Sequence, residues 1–344
     1  MKLQIRLIVF SSIFLLFSCE KALMHKEPRI DNVSVFNEYA KICIEKFGLQ
    51  DVKGIDLKVI TDSVRPLITW DLTQEEMFEA LGYIVNRMQE GHTNLQTIDY
   101  NFLKGYYWFN GFPAATKYPI PDKYYYGPEA NTNVQYIQDD IFDIKYGFLT
   151  QAPEIGYIRV LSFSMDVSVG ELETMMSFLK NAKGIIIDVR GNLGGYIDFA
   201  SKLSSYFTFQ EVGFGTNYIK NGPGKNDFAA SKLTLKPSNS SYTYTKPVIV
   251  LQDRITFSSG SLFCVMMSEL PNVKTLGQIF GGGTGDIIDG FLANGWKYTI
   301  STSNLVNASG KPTDNGIEPD IQQLINPADT DKDALIDRAI LELQ

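Results

Sequence analysis

The sequence is poor in the residues from which most catalytic and metal sites are built. Its 344 residues include two histidines and three cysteines. Three cysteines without paired spacing exclude a disulfide scaffold, and no His–Cys cluster suits zinc, so no metal or cofactor is expected. Basic residues are in deficit, 31 against 39 acidic, for a net charge of −8. No Lys/Arg block lies outside the extreme N-terminus, which argues against a nucleic-acid partner. Long apolar runs are scarce too, since the stretch Leu7–Phe17 is shorter than a bilayer-spanning helix requires. What is left is a globular composition, 44% hydrophobic, in a chain long enough for one large domain or two unequal ones.

The N-terminus, MKLQIRLIVFSSIFLLFSC, joins a basic start (Lys2, Arg6) to that apolar stretch and ends Leu16-Phe17-Ser18-Cys19. Its length and flanks fit a secretory signal. The Leu-x-small-Cys ending resembles the lipobox of bacterial lipoproteins, in which the cysteine is lipidated; the alternative is a plain signal peptide. The resemblance implies a signal peptide over 1–19, lipidation at Cys19, and a lipid anchor in the bacterial cell envelope, periplasmic or surface-exposed. Residues 20–30 are polar and read as a tether, which contains His25. Cys43 and Cys264 sit in apolar helical patterns and are expected to be buried thiols.

Residues 31–97 carry helical periodicity. Thr73 and Glu76 have capping-box spacing before Met77, Leu81, Ile84, Val85 and Met88, and Gly91 suits the closing turn. His92 falls just past that helix. Residues 98–150 mix aromatics, prolines and glycines without a period and read as irregular β structure and loops, a surface for a partner or substrate. Residues 151–344 alternate strands (156–160, 184–189, 247–252, 273–277) with helices (168–179, 197–207, 259–270), the signature of an α/β core. The polar insertion 209–246 has no legible assignment.

Four stretches could carry chemistry. In Ile255–Leu262, ITFSSGSL, Ser258 follows a buried strand at a helix start. It reads either as an N-cap or as a nucleophile favoured by the helix dipole, with the Ser259 amide as an oxyanion donor. A serine nucleophile needs a base within hydrogen-bond reach, and His92 is the one histidine in the body of the chain. In Asp188–Gly195 a strand runs into Gly194-Gly195, whose amides could cradle an anion or merely make a turn. Finally, Asp314 and Glu318 are acids that could orient His92, or ordinary turn carboxylates.

Together these stretches resemble the S41 serine peptidases, the family of the C-terminal processing proteases and the tricorn core protease. The matching motifs are Gly91-His92-Thr93, Gly156–Val160 with Phe163, Asp188–Gly195, Thr256–Gly260 and Gly316–Asp320, in the family's order. The resemblance implies a ClpP/crotonase-like α/β core behind a helical N-terminal domain, with no PDZ segment visible. It matches Ser258 to the nucleophile and His92 to the base of the tricorn-like branch. Ser259 with Gly194 or Gly195 matches the oxyanion donors. The lysine of the processing-protease dyad would fall on Gly283, so that branch's base is missing. Two family glutamates are replaced, at Ser261 and at Thr313, where the adjacent Asp314 could serve instead. The expectation is a membrane-anchored serine endopeptidase acting on a peptide or protein. The alternative is a weak or inactive lipoprotein on the same scaffold that binds a peptide or apolar ligand.

Overall fold

The computed structural model describes residues 30–97, 102–105, 134–137, 144–164, 166–324, 326 and 332–344. The signal segment with Cys19, nearly all of the tether with His25, and the aromatic stretch Tyr106–Tyr126 lie outside them.

The chain opens with helices α1 (Asn32–Lys46), α2 (Leu57–Val64) and α3 (Gln74–Met88). Thr73 caps α3 through the expected reciprocal bonds with Glu76. The helix closes on Gln89, left-handed at φ 52°, two residues earlier than Gly91. Short strands β1 (Asn94–Gln96) and β2 (Leu103–Gly105) follow, then the antiparallel pair β3 (Val134–Ile137) and β4 (Ile144–Phe148).

The α/β core then runs β5 (Ile155–Val160), α4 (Val169–Leu179), β6 (Gly184–Asp188), α5 (Ile197–Ser205), a hairpin β7 (Val212–Lys220) and β8 (Phe228–Leu235), β9 (Val248–Gln252), α6 (Ser259–Ser268) and β10 (Val273–Gly277). It ends with β11 (Ile287–Phe291), β12 (Lys297–Ser301), β13 (Ser303–Asn307), β14 (Ile321–Gln322) and α7 (Ala334–Leu343). The 209–246 insertion, unread in the sequence, is thus the β7–β8 hairpin, which β13 extends to a three-stranded sheet. Its alternation is hidden because β8 is exposed on both faces over residues 229–232.

The main sheet has the order β14-β10-β9-β6-β5-β4-β3, parallel from β14 to β5. Strands covered on both faces are apolar at every position rather than at alternate ones. Hence Ile185 and Ile187 of β6 point into the core beneath α4, α5 and α6, whereas Ile186 packs with Leu335, Ile336 and Ala339 of α7. Parallel strands also align their C-terminal ends, where ligand sites of open α/β sheets form. The loops after β5, β6, β9 and β10 all leave from that edge.

The helices α1–α3 pack around a second core that also contains Leu292, Trp296 and Ile300 from the β11–β12 hairpin. Strand β1 pairs antiparallel with β12, Asn94 opposite Thr299. A sheet of order β11-β12-β1-β2 therefore stitches the helical unit to a segment two hundred residues later in the chain. That stitching carries His92 to the C-terminal edge of the main sheet.

Candidate active site

The turn Asp253–Phe257 connects β9 to α6 and is tied internally and to its neighbour. Asp253 Oδ1 accepts from the amides of Gly191, Ile255 and Thr256 at 3.1, 3.1 and 2.8 Å. Phe257 N–H donates to Asn192 O at 2.9 Å, and Thr256 Oγ1 to Val189 O at 2.9 Å. The loops after β6 and β9 thereby form one rigid body. Ser258 sits at its apex with φ 56° and ψ −127°, a backbone state costing about 1–3 kcal/mol for a residue with a Cβ. Ser258 N–H donating to Gly282 O at 3.0 Å and Leu262 N–H to Ser258 O at 2.9 Å hold it there. A sharp strand-to-helix elbow of this kind lifts a hydroxyl clear of the backbone.

The hydroxyl makes no capping bond to α6. It lies 3.1 Å from His92 Nε2 instead. The capping reading is thus set aside by geometry. The imidazole leans on the Phe257 ring, centroids 4.6 Å apart. At Gly283, an added Cβ would stand 2.3 Å from the same Phe257 ring. No side chain fits there, so the position where a lysine base would fall is closed by the aromatic that supports the histidine.

Behind His92 stands a carboxylate that was not singled out from the sequence. Glu90 is buried, and its Oε1 is 3.4 Å from His92 Nδ1, near enough to feel its charge though not aligned as a hydrogen bond. Glu90 Oε1 accepts from His92 N–H at 2.9 Å. Its Oε2 accepts from Thr93 N–H at 2.8 Å, Thr93 Oγ1 at 3.0 Å and Ser301 Oγ at 2.6 Å. Burial alone would push this carboxyl up; its contact with the His92 ring, the imidazole charge and these donors outweigh burial and hold it well below its ordinary value. The signal that could have found it is Glu90-Gly91-His92 in a turn, where i and i+2 side chains can converge.

Asp314 is buried close by but takes other partners. Its Oδ2 pairs with Lys53 Nζ at 2.6 Å, and Oδ1 accepts from Gly283 N–H at 3.1 Å. The carboxylate against Nδ1 is therefore Glu90, not Asp314, because Glu90 shares the turn of His92 while Asp314 is held by Lys53 and Gly283. Thr313 is buried, its hydroxyl shared with Thr284 and donated to Leu305 O. Glu318 is exposed and accepts from Gln322. Ser261, standing where a glutamate was expected, is fully buried and donates to Thr256 O at 3.0 Å, bracing the elbow.

The glycine turn lies directly against the serine. Gly194 has φ 100°, and a Cβ on it would come within 2.7 Å of Ser258 Cβ. Its N–H is committed to Asn192 Oδ1 at 2.8 Å. The Phe163 bridge uses Gly194 O and Tyr196 N–H, so the Gly195 amide between them is not part of it. Ser259 opens α6, and its N–H has no carbonyl one turn back in the helix. The amides of Gly195 and Ser259 take no part in these bonds. Among the described residues, no three His, Cys, Asp or Glu side chains gather as around a metal ion.

The Ser258 elbow and the glycine turn lie within a segment that matches the model of peptidase family S41, over residues 154–323. Those residues, just under half of the chain, are similar to peptidase family S41. Over 133 residues it is 33% identical to the carboxy-terminal processing protease CtpA of Bacillus subtilis (strain 168), 38% of this chain and 26% of that protein. The CtpB protein of the same organism is 27% identical over 136 residues, 39% of this chain and again 26% of the relative. The chain thus spans about a quarter of the length of these curated relatives. A crystal structure of a candidate peptidase from Parabacteroides merdae ATCC 43184 superposes with a TM-score of 0.82 at 29% identity, covering 92% of this chain and 97% of that one. Glu90 and His92 lie ahead of the matched segment, on the helical unit that the β1–β12 pairing joins to it.

Proposed function

We propose that the protein is a serine endopeptidase that works through Ser258, His92 and Glu90. The observation that carries this reading is the 3.1 Å contact between His92 Nε2 and Ser258 Oγ on a strained elbow. With its proton on Nδ1, facing Glu90, His92 accepts the Ser258 proton at Nε2 as Oγ attacks the peptide carbonyl. The ionised Glu90 stabilises the imidazolium that forms, and the amides of Gly195 and Ser259 receive the oxyanion. His92 then returns the proton to the leaving amine, and water releases the acyl group by the same steps in reverse. Leu193, Tyr196 and Ile197, each more than half exposed, flank the glycine turn and offer apolar surface to a bound chain.

The Leu16–Cys19 ending supports a lipid anchor at Cys19 and a place at the surface of a bacterial envelope membrane. No described helix is long and apolar enough to cross a membrane.

One experiment covers both parts. Cells producing the full chain are treated with a fluorophosphonate probe and fractionated. The expected result is a labelled band in the membrane fraction, lost in Ser258→Ala, reduced at least about 100-fold in rate in His92→Ala, and moved to the soluble fraction in Cys19→Ala. Labelling that survives Ser258→Ala, or no labelling of the wild type, would sink the peptidase reading; membrane retention of Cys19→Ala would sink the anchor.

A further inference from the structure

Behind the His92–Glu90 pair lies a cavity of about 60 Å³ whose wall includes Lys53, Glu90, Arg254, Phe257, Gly283 and Asp314. Two of these groups have no part in the mechanism above, yet they form a buried ion pair. The Lys53 and Asp314 side chains are 7% and 2% exposed, with Nζ and Oδ2 2.6 Å apart. Such a pair repays its desolvation poorly and is weak evidence of stability alone. Its two halves come from opposite parts of the molecule. Lys53 belongs to the turn between α1 and α2; it also donates to Asn315 Oδ1 at 2.7 Å, and Asn315 Nδ2 donates to Val52 O at 3.2 Å.

We infer that Lys53 and Asp314 are positioning residues that act as a mutually neutralised pair, keeping Glu90 ionised and turned to His92 rather than to the lysine. The inference rests on the catalytic reading of Glu90 and His92 given above. A bare lysine in that cavity would compete with His92 for the Glu90 carboxylate. A bare aspartate would repel it, and the raised Asp314 carboxyl, due first to burial and then to the Glu90 charge, has the direction this proximity requires. The charged and titratable groups facing the His92–Glu90 pair are Asp314 from the loop after β13, Lys53 from the α1–α2 turn, and Arg254 from the β9–α6 elbow. Arg254 donates to Phe280 O at 3.1 Å, and Ser258 faces the ring from the front. The pair also makes the helical unit part of the site by charge as well as by the histidine it carries.

The test is a proton NMR titration of the His92 ring in the full chain, which has His25 as its other histidine; His92→Gln identifies the signal. Asp314→Asn leaves Lys53 uncompensated, so the His92 midpoint is expected to fall by about one pH unit or more. Lys53→Met combined with Asp314→Asn removes both charges and is expected to return the midpoint to within about a third of that shift. Lys53→Met alone should titrate at or above the wild type. The rate of fluorophosphonate labelling should follow: slowed about tenfold in Asp314→Asn and largely recovered in the double variant. A double variant that titrates like Asp314→Asn, or a fall in both single variants alike, would show packing and not charge, and overturn the inference. Should Asp314→Asn fail to fold, the sign of the Lys53→Met shift decides. Because the titration needs no activity, a wild type that does not label fails the peptidase reading alone, whereas a labelled wild type with unmoved midpoints fails this inference alone.

Discussion

At the scale of single residues, Glu90 carries the most consequence for its size. It accepts four hydrogen bonds while buried, two of them from backbone amides, His92 N–H on one oxygen and Thr93 N–H on the other. Glu90→Gln keeps the shape but offers one oxygen, so one amide loses its acceptor, at about 1–3 kcal/mol. The variant also loses the anion behind the imidazole, and labelling of Ser258 is expected to slow by about 10²- to 10⁴-fold. The carboxyl is held low in the folded state, so its contribution to stability is complete above the ordinary glutamate value of about 4.3 and is withdrawn as the pH falls below it. Urea midpoints measured from pH 7 to 3 should therefore fall less steeply in Glu90→Gln than in the wild type; parallel curves would show that Glu90 is not held low.

At the scale of elements, the site depends on two turns packed without a gap. In the proposed mechanism the elbow after β9 gives a hydroxyl and an amide and the turn after β6 a second amide, and the two turns pack this closely only because residue 194 has no side chain. A Cβ at Gly194 would lie 2.7 Å from Ser258 Cβ and 2.9 Å from both Phe257 O and Ser259 N, at φ 100°. Gly194→Ala is expected to cost about 1–3 kcal/mol in backbone strain and to displace Ser258. Displacement of the nucleophile lowers labelling on the order of 100-fold, more than the stability loss alone would. A variant that melts earlier yet labels at the wild-type rate would mean the two turns tolerate separation. The elements themselves were legible where burial gives a pattern: β6 and β9 are apolar runs between turns, and α3 carries its capping box. The β7–β8 hairpin was not, because a strand exposed on both faces leaves no periodic trace.

At the scale of the molecule, His92 and Ser258 sit beside two different hydrophobic cores that meet through one hairpin. Trp296 is buried in the helical core, edge-on to Phe78 at 5.2 Å between centroids, although it lies on the far side of the nucleophile in sequence. Trp296→Ala is expected to cost about 3–5 kcal/mol. Because β12 also places β1 and thus His92, the still-folded variant should label Ser258 more slowly while β9 and α6 keep their hydrogen-exchange protection. Unchanged labelling at a lowered melting temperature would show that His92 is positioned without the hairpin.

The sequence by itself determined the α/β core, because parallel strands buried on both faces must be continuously apolar. It also pointed to Ser258 and His92, since a hydroxyl at a strand-to-helix turn and one histidine outside the N-terminal tether leave few other pairs. That Glu90 rather than Asp314 lies against the His92 ring, and that His92 reaches Ser258, only the tertiary structure decided. Glu90 meets Ser301, and Lys53 meets Asn315 from 262 positions away. Contacts between such distant segments leave no local spacing to read; they exist because β1 pairs with β12 and closes the two cores against each other.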